Sequence, residues 1–168
     1  MSLDVTKQFA IDADPDELFA KLTTEFTEVS TWATGITYSA PNPKYGPVAD
    51  GIAGGRVCQI DGFGAIDEQL VQYDPVGRQF TYTAEAEKIP GFVKNLQNQW
   101  TISRAGGDRS MVTLHLTADV TGPLGAIMKP MMRRRFDKTL DAVGDDLVAY
   151  AEHGTISAAK AKELASAR

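Results

Sequence analysis

At 168 residues the chain is near the usual size of one domain, long enough to bury roughly 70% of the surface an unfolded chain exposes, and its 43% hydrophobic and 23% charged content excludes intrinsic disorder. With 17 basic residues against 22 acidic ones the formal net charge is −5, and no basic stripe interleaves with aromatics, so no nucleic-acid partner is expected. The opening residues have no basic region leading into an apolar core, and no apolar run approaches the roughly 20 residues that span a bilayer, so a cytoplasmic location without stable membrane insertion is expected.

The alternating stretch Thr6 to Ile11 reads as a strand. Asp14-Pro15-Asp16-Glu17 then supplies an N-cap, a proline at the first helical position and a capping-box acid. Leu18, Phe19, Leu22 and Phe26 recur at helical spacing, a second short amphipathic piece runs toward Trp32, and Gly35 ends this pair of short helices. Ser39 to Gly54 is rich in Pro, Gly, Asn and Asp and reads as a long surface loop, a candidate lid. Short alternating segments follow at Arg56–Ile60, Ile66–Tyr73, Gln79–Glu85, Asn95–Ser103 and Met111–Val120, separated by turn residues such as Asp61-Gly62 and Asp74-Pro75-Val76-Gly77. They form an antiparallel meander.

After Gly122-Pro123 the period becomes helical, with Leu124, Met128, Met131, Met132, Arg135, Phe136, Leu140, Val143, Leu147 and Tyr150 tracking one side as far as His153-Gly154. Pro130 removes a backbone donor within this helix, which predicts a kink or an irregular first turn. The fold class is therefore α+β, one domain over residues 1–154, with a curved antiparallel sheet around a long C-terminal helix. Residues 155–168 form an alanine-rich tail, helical for a turn or two or disordered, with no apolar face that demands packing.

The run GRVCQIDGFGAIDEQLVQYDPVGRQFTYTAE, the later IPGFVKNLQNQWTI, and GPLGAIMKPMMRRRFDKTL followed by LVAYAEHG resemble the START-like polyketide cyclase/dehydrase and lipid-transport superfamily, SRPBCC. The resemblance covers nearly everything from Val5 to Gly154 and implies the helix-grip fold. It implies a superfamily that holds cyclases, aromatases and lipid and hormone binders, and it does not single out an activity.

Period-two alternation assigns the inward side chains: Phe80, Tyr82 and Ala84 in one strand, Leu96, Asn98, Trp100 and Ile102 in the next, Val112, Leu114, Leu116 and Ala118 in the last. Large apolar groups with a few polar ones suit a small-molecule pocket, and the same aliphatic residues also suit a filled core. Asn98 needs backbone, water or ligand to satisfy its amide. Arg56 and Glu68, on adjacent strands, are either a structural ion pair or a means of fixing a polar ligand group. Tyr82 donates its hydroxyl either to a ligand or to the backbone. Met128, Met132 and Phe136 bring adaptable apolar surface from the long helix toward the pocket mouth.

His115 shares the outward face with Thr113 and Thr117, and His153 suits the C-terminal end of the long helix, so no histidine is left for general-base work. Arg133-Arg134-Arg135 either meets anionic headgroups or pairs along the helix with Asp137 and Asp141. The lone Cys58 is expected to be a buried small hydrophobe; no metal site and no cofactor are expected.

Two functions remain open. The first is binding or carriage of a small hydrophobic or amphipathic molecule, such as a lipid or polyketide. The second is a cyclase or aromatase acting on a poly-carbonyl or aromatic substrate, with Glu68, Arg56 and Tyr82 as candidate catalytic residues. A homodimer formed through the sheet edge or the Ser39–Gly54 loop is a further expectation.

Overall fold

The computed structural model describes residues 1–167. In chain order the elements are β1 (Ser2–Ile11), α1 (Pro15–Thr24), a 3-10 turn (Phe26–Thr31), β2 (Ile36–Pro41), β3 (Gly55–Ile60), β4 (Gly64–Asp74), β5 (Gln79–Ala86), β6 (Val93–Gly106), β7 (Arg109–Val120), α2 (Gly122–His153) and α3 (Ala158–Ser166). The seven strands form one curved antiparallel sheet in the order β1-β7-β6-β5-β4-β3-β2. Leu3 pairs opposite Ala118 and Ile11 opposite Ser110, so the first strand flanks the last and the meander runs from there to β2. The α+β architecture expected from the residue pattern, and the helix-grip fold that the resemblance implies, are observed.

Local chemistry explains the boundaries. Asp14 accepts from the backbone N–H groups of Asp16 (2.8 Å) and Glu17 (3.3 Å), and Pro15 starts the helix where no intrahelical donor is needed. At the other end of the chain's longest helix, Gly154 adopts φ 61°, and its N–H bonds the Ala149 carbonyl. The helix continues across Pro130, which lies on its exposed side, where water can take up the freed carbonyl.

The apolar core sits between the inner sheet face and the helices, with Leu3, Val112, Leu114, Val120 and Leu147 fully excluded from water. Stripping water from such side chains contributes about 25 cal/mol for each Å² removed, which is the main force holding α2 to the sheet. At Gly144 the helix meets Phe9 of β1 so closely that a Cβ would stand 2.1 Å from a ring carbon. Glycine is the residue that permits this approach.

Two expectations are corrected. Ser39 to Gly54 is not wholly a loop, because Ile36–Pro41 pairs with β3 as an edge strand. The remainder is pinned down rather than poised over the cavity: Asn42 donates from Nδ2 to Asp67 Oδ1 at 2.5 Å and from its backbone to the Gly55 carbonyl at 3.0 Å. Its Pro and Asn residues mask a strand that, as a sheet edge, tolerates a missing donor.

The tail forms α3 and is tied to the domain through Lys160, whose side chain is 1% exposed. No apolar stripe announces this docking, since the contacts are polar. Finally, Asp137 and Asp141 do not neutralise the arginine run along the helix. Both pair with Lys7 of β1, at 3.0 and 2.9 Å, while Arg135 lies over the Phe63 ring at 4.6 Å.

Candidate functional site

A cavity of about 170 Å³ lies between the sheet and its helical cover. Strand pairing dictates which side chains reach it. Arg56 sits opposite Glu68, Tyr82 opposite Asn98, and Phe80 opposite Trp100, so three cross-strand pairs place their side chains on the same concave face. Phe26 and Trp32, together with Phe136, Leu140, Val143 and Tyr150 of α2, complete the wall.

Most of the wall is apolar. Phe80 and Trp100 stack with ring centres 5.6 Å apart, Phe26 meets Tyr82 edge-on at 5.6 Å, and Trp32 stacks on Tyr150 at 5.1 Å. Aromatic pairs in these geometries add about 0.5–1.5 kcal/mol each beyond the area they bury.

The charged part of the wall is self-contained. Arg56 donates from Nε to Glu68 Oε2 and from Nη1 to the Phe26 carbonyl at 2.6 Å. Its guanidinium also lies 4.1 Å from the Phe26 ring and 5.1 Å from the Tyr82 ring. Burial opposes the charge on Arg56, but the Glu68 carboxylate outweighs burial and holds the guanidinium protonated well above its ordinary range. The Cys58 Sγ completes the cluster, 3.6 Å from Glu68 Oε2. Burial pushes that thiol up to about 12, with Arg56 pulling down and Glu68 pushing up, so Cys58 is a neutral, buried side chain and not a nucleophile.

Tyr82 marks the polar end of the apolar space. Its hydroxyl accepts from Asn98 Nδ2 at 2.9 Å. Burial, then the Glu68 charge, raise the phenol to about 12 against the opposing pull of Arg56, Trp100 and Asn98, which keeps it protonated. Two polar atoms here are buried without a hydrogen-bond partner, Asn98 Oδ1 and Trp100 Nε1. The indole N–H is near enough to the phenol to favour its ionised form, yet it makes no hydrogen bond to the hydroxyl.

Of the residues singled out from sequence, Arg56, Glu68, Phe80, Tyr82, Leu96, Asn98, Trp100 and Phe136 line this cavity together. Leu114 does not: it is fully buried in the core, outside the cavity wall. Met128 and Met132 also lie outside the wall. The helix register turns Leu124, Ile127 and Met131 toward water, and the inward arc begins to meet the cavity only at Phe136.

Sequence reasoning missed Phe26 as a partner of Arg56, and the contributions of Thr34, Ile36, Phe63 and Ile89 from turns and strand ends. Phe26 was visible as an apolar helical position; its carbonyl's role was not. Among the described residues no cluster of His, Cys, Asp and Glu is arranged to hold a metal, and no helix is long and apolar enough to cross a membrane.

A curved sheet gripping a long helix around a mainly apolar cavity defines a START-like, SRPBCC-type protein. More narrowly, residues 2–152 match the polyketide cyclase / dehydrase and lipid transport family, and the chain belongs to it. No curated protein matches the chain by sequence.

Similar solved structures include a START superfamily protein from Mycobacterium smegmatis, with 16% identity, TM-score 0.71, and 90% of this chain and 99% of that one covered. Another is the protein XoxI from Bacillus cereus, with 16% identity, TM-score 0.63, and coverage of 89% and 99%. A third is norcoclaurine synthase from Thalictrum flavum in complex with dopamine and hydroxybenzaldehyde, with 13% identity, TM-score 0.66, and coverage of 88% and 85%. At such identities the likeness is one of fold.

Proposed function

We propose that this chain binds or carries a small hydrophobic or amphipathic molecule in the cavity between its sheet and α2. The observation that carries the reading is an aromatic-walled space of about 170 Å³ that holds two unpartnered polar atoms at one end. A dry, well-packed core would have filled the space and paired the polar groups. The volume is close to that of a cavity of about 150 Å³ known to accept benzene, so molecules of one or two rings fit the reading better than long lipids. The norcoclaurine synthase complex with dopamine and hydroxybenzaldehyde supports it, as an example of this fold with ligands of that size.

The cyclase-type alternative has weaker support. Arg56 and Glu68 satisfy one another, with the Phe26 carbonyl taking a further donor, which is the arrangement of a structural pair. Tyr82 is the candidate that stays free to donate.

The test is native mass spectrometry of gently purified protein, paired with a thermal-shift screen of one- and two-ring aromatics, flavonoids and aromatic polyketides, since a ligand that binds only the folded state raises its melting temperature. The control is Ala84→Phe, which fills the cavity from its wall. Ligand retention or a shift lost in that variant supports the reading. A well-folded protein that retains nothing and responds to nothing refutes it.

A further inference from the structure

The unpartnered atoms specify the ligand more narrowly. We infer that the cavity is built for an uncharged aromatic molecule of about one ring that buries a hydroxyl group against Asn98, Trp100 and Tyr82; the inference rests on the reading of the cavity as a binding site.

Asn98 spends its Nδ2 on the Tyr82 hydroxyl, which leaves its Oδ1 as a buried acceptor without a donor. Trp100, itself 6% exposed, leaves its Nε1–H as a buried donor without an acceptor. The Tyr82 hydroxyl, having accepted from Asn98, keeps its own proton to give. These groups belong to neighbouring positions on one face, since Asn98 and Trp100 are two apart in β6 and Tyr82 is the cross-strand partner of Asn98.

The complement is a group that donates once and accepts up to twice, which is a hydroxyl. A carbonyl accepts but leaves Asn98 Oδ1 unpaired, and a methyl group leaves every one of these atoms unpaired. A carboxylate brings a charge with no free cation to meet it, because Arg56 is the only cation among the described residues of the wall and it is committed to Glu68 and the Phe26 carbonyl.

The ring belongs in the remainder of the wall, beside the Phe80–Trp100 stack and the edge-on Phe26–Tyr82 pair. With about 170 Å³ available, a substituted benzene is the scale that fits.

A four-member series of near-identical shape tests this: 4-methylphenol, toluene, 4-methylbenzaldehyde and 4-methylbenzoate, titrated against the full chain by NMR chemical shift. Toluene is the easier molecule to remove from water, so a cavity offering only apolar contact ranks it first. The expected order instead puts 4-methylphenol ahead of toluene by roughly tenfold, because one unsatisfied buried polar group is worth on the order of that factor.

Trp100→Phe removes the N–H while keeping a ring on Phe80, and Asn98→Leu removes the acceptor. Each variant is expected to shrink the 4-methylphenol preference several-fold while leaving toluene unchanged or tighter. Toluene binding as tightly as 4-methylphenol overturns the inference but leaves the cavity a binding site. The aldehyde or the benzoate binding most tightly also overturns it, the former by showing that the site presents donors only, the latter by showing a free positive charge. No binding by any of the four at millimolar concentration overturns the inference, while the binding-site reading stands or falls with the mass-spectrometric and thermal-shift screen.

Discussion

The ammonium of Lys160 donates to the backbone carbonyl of Ile36 at 2.8 Å, joining residues 124 positions apart in the chain. The same ammonium pairs with Glu163 Oε1 at 2.6 Å, and the other oxygen of that carboxylate accepts from the Gly35 N–H at 2.5 Å. A second carboxylate works beside it: Asp146, 1% exposed, accepts from the Thr34 N–H at 2.6 Å, from the Thr34 hydroxyl at 3.0 Å, and from the Ser157 hydroxyl. The turn that leads from the 3-10 segment into β2 is thus held by α2 and α3 together.

Removal of Lys160 therefore leaves the Ile36 carbonyl and one oxygen of the partly buried Glu163 carboxylate without their donor. Lys160→Ala is expected to lower unfolding stability by about 1.5–3 kcal/mol, the range for taking a charged hydrogen-bond donor away from partly buried acceptors. Urea denaturation checks it. A change below about 0.5 kcal/mol, the size of an ordinary surface substitution, would show that α3 contributes nothing to the fold.

Breaking the Arg56–Glu68 pair from one side is costlier than removing it whole. Glu68→Ala strands a buried guanidinium and is expected to cost about 3–5 kcal/mol, whereas the double replacement Arg56→Met with Glu68→Leu recovers most of the loss. Equal destabilisation of the single and double variants, measured by the same denaturation, would contradict the description of this pair as a self-contained structural unit.

Alkaline pH weakens the fold through Tyr82 and Cys58. Their ordinary values are 10.0 and 9.0, and burial, the largest cause in each case, lifts both to about 12. Between those limits the unfolded chain has released protons that the folded chain still holds, so stability is intact below pH 9 and falls as pH rises toward 12. Each proton retained only by the folded chain costs roughly 1.4 kcal/mol per tenfold fall in proton concentration, so a loss of about 4 kcal/mol is expected between pH 8 and pH 11. Urea midpoints across that range are expected to fall less steeply in Cys58→Ala than in the native chain; identical slopes would argue against burial of the thiol as a cause.

Gly144→Ala tests how closely α2 meets β1. In an exposed helix this change gains up to about 1 kcal/mol, but here the added methyl enters the Phe9 ring, so a net loss of about 1–3 kcal/mol is expected. A rise in melting temperature would mean that the ring moves aside freely.

Much of the fold can be read along the chain because its causes are local. The Asp14-Pro15 start, the Gly154 stop, the alternation from Arg56 to Val120 and the turn at Asp74–Gly77 each follow from backbone geometry and side-chain period within a few residues. The same alternation turns Tyr82, Asn98 and Trp100 to one face, which is why most of the cavity wall was legible. The methionines were harder, since a helix of 32 residues carries apolar side chains on more than one face and nothing local says which arc meets the sheet.

Alternation and helical period therefore sufficed for the antiparallel meander, the long C-terminal helix and the inward strand positions, because each depends only on near neighbours. Partners across the fold did not follow from them. That Lys7 takes both Asp137 and Asp141, that Lys160 reaches the Ile36 carbonyl, and that Asn98 spends one end of its amide on Tyr82 and leaves the other bare are consequences of which distant segments come to lie side by side. Hydrogen bonds and ion pairs are satisfied over about 3 Å of space whatever the separation along the chain, so pairing of polar groups, unlike periodicity, is settled only when the chain has folded.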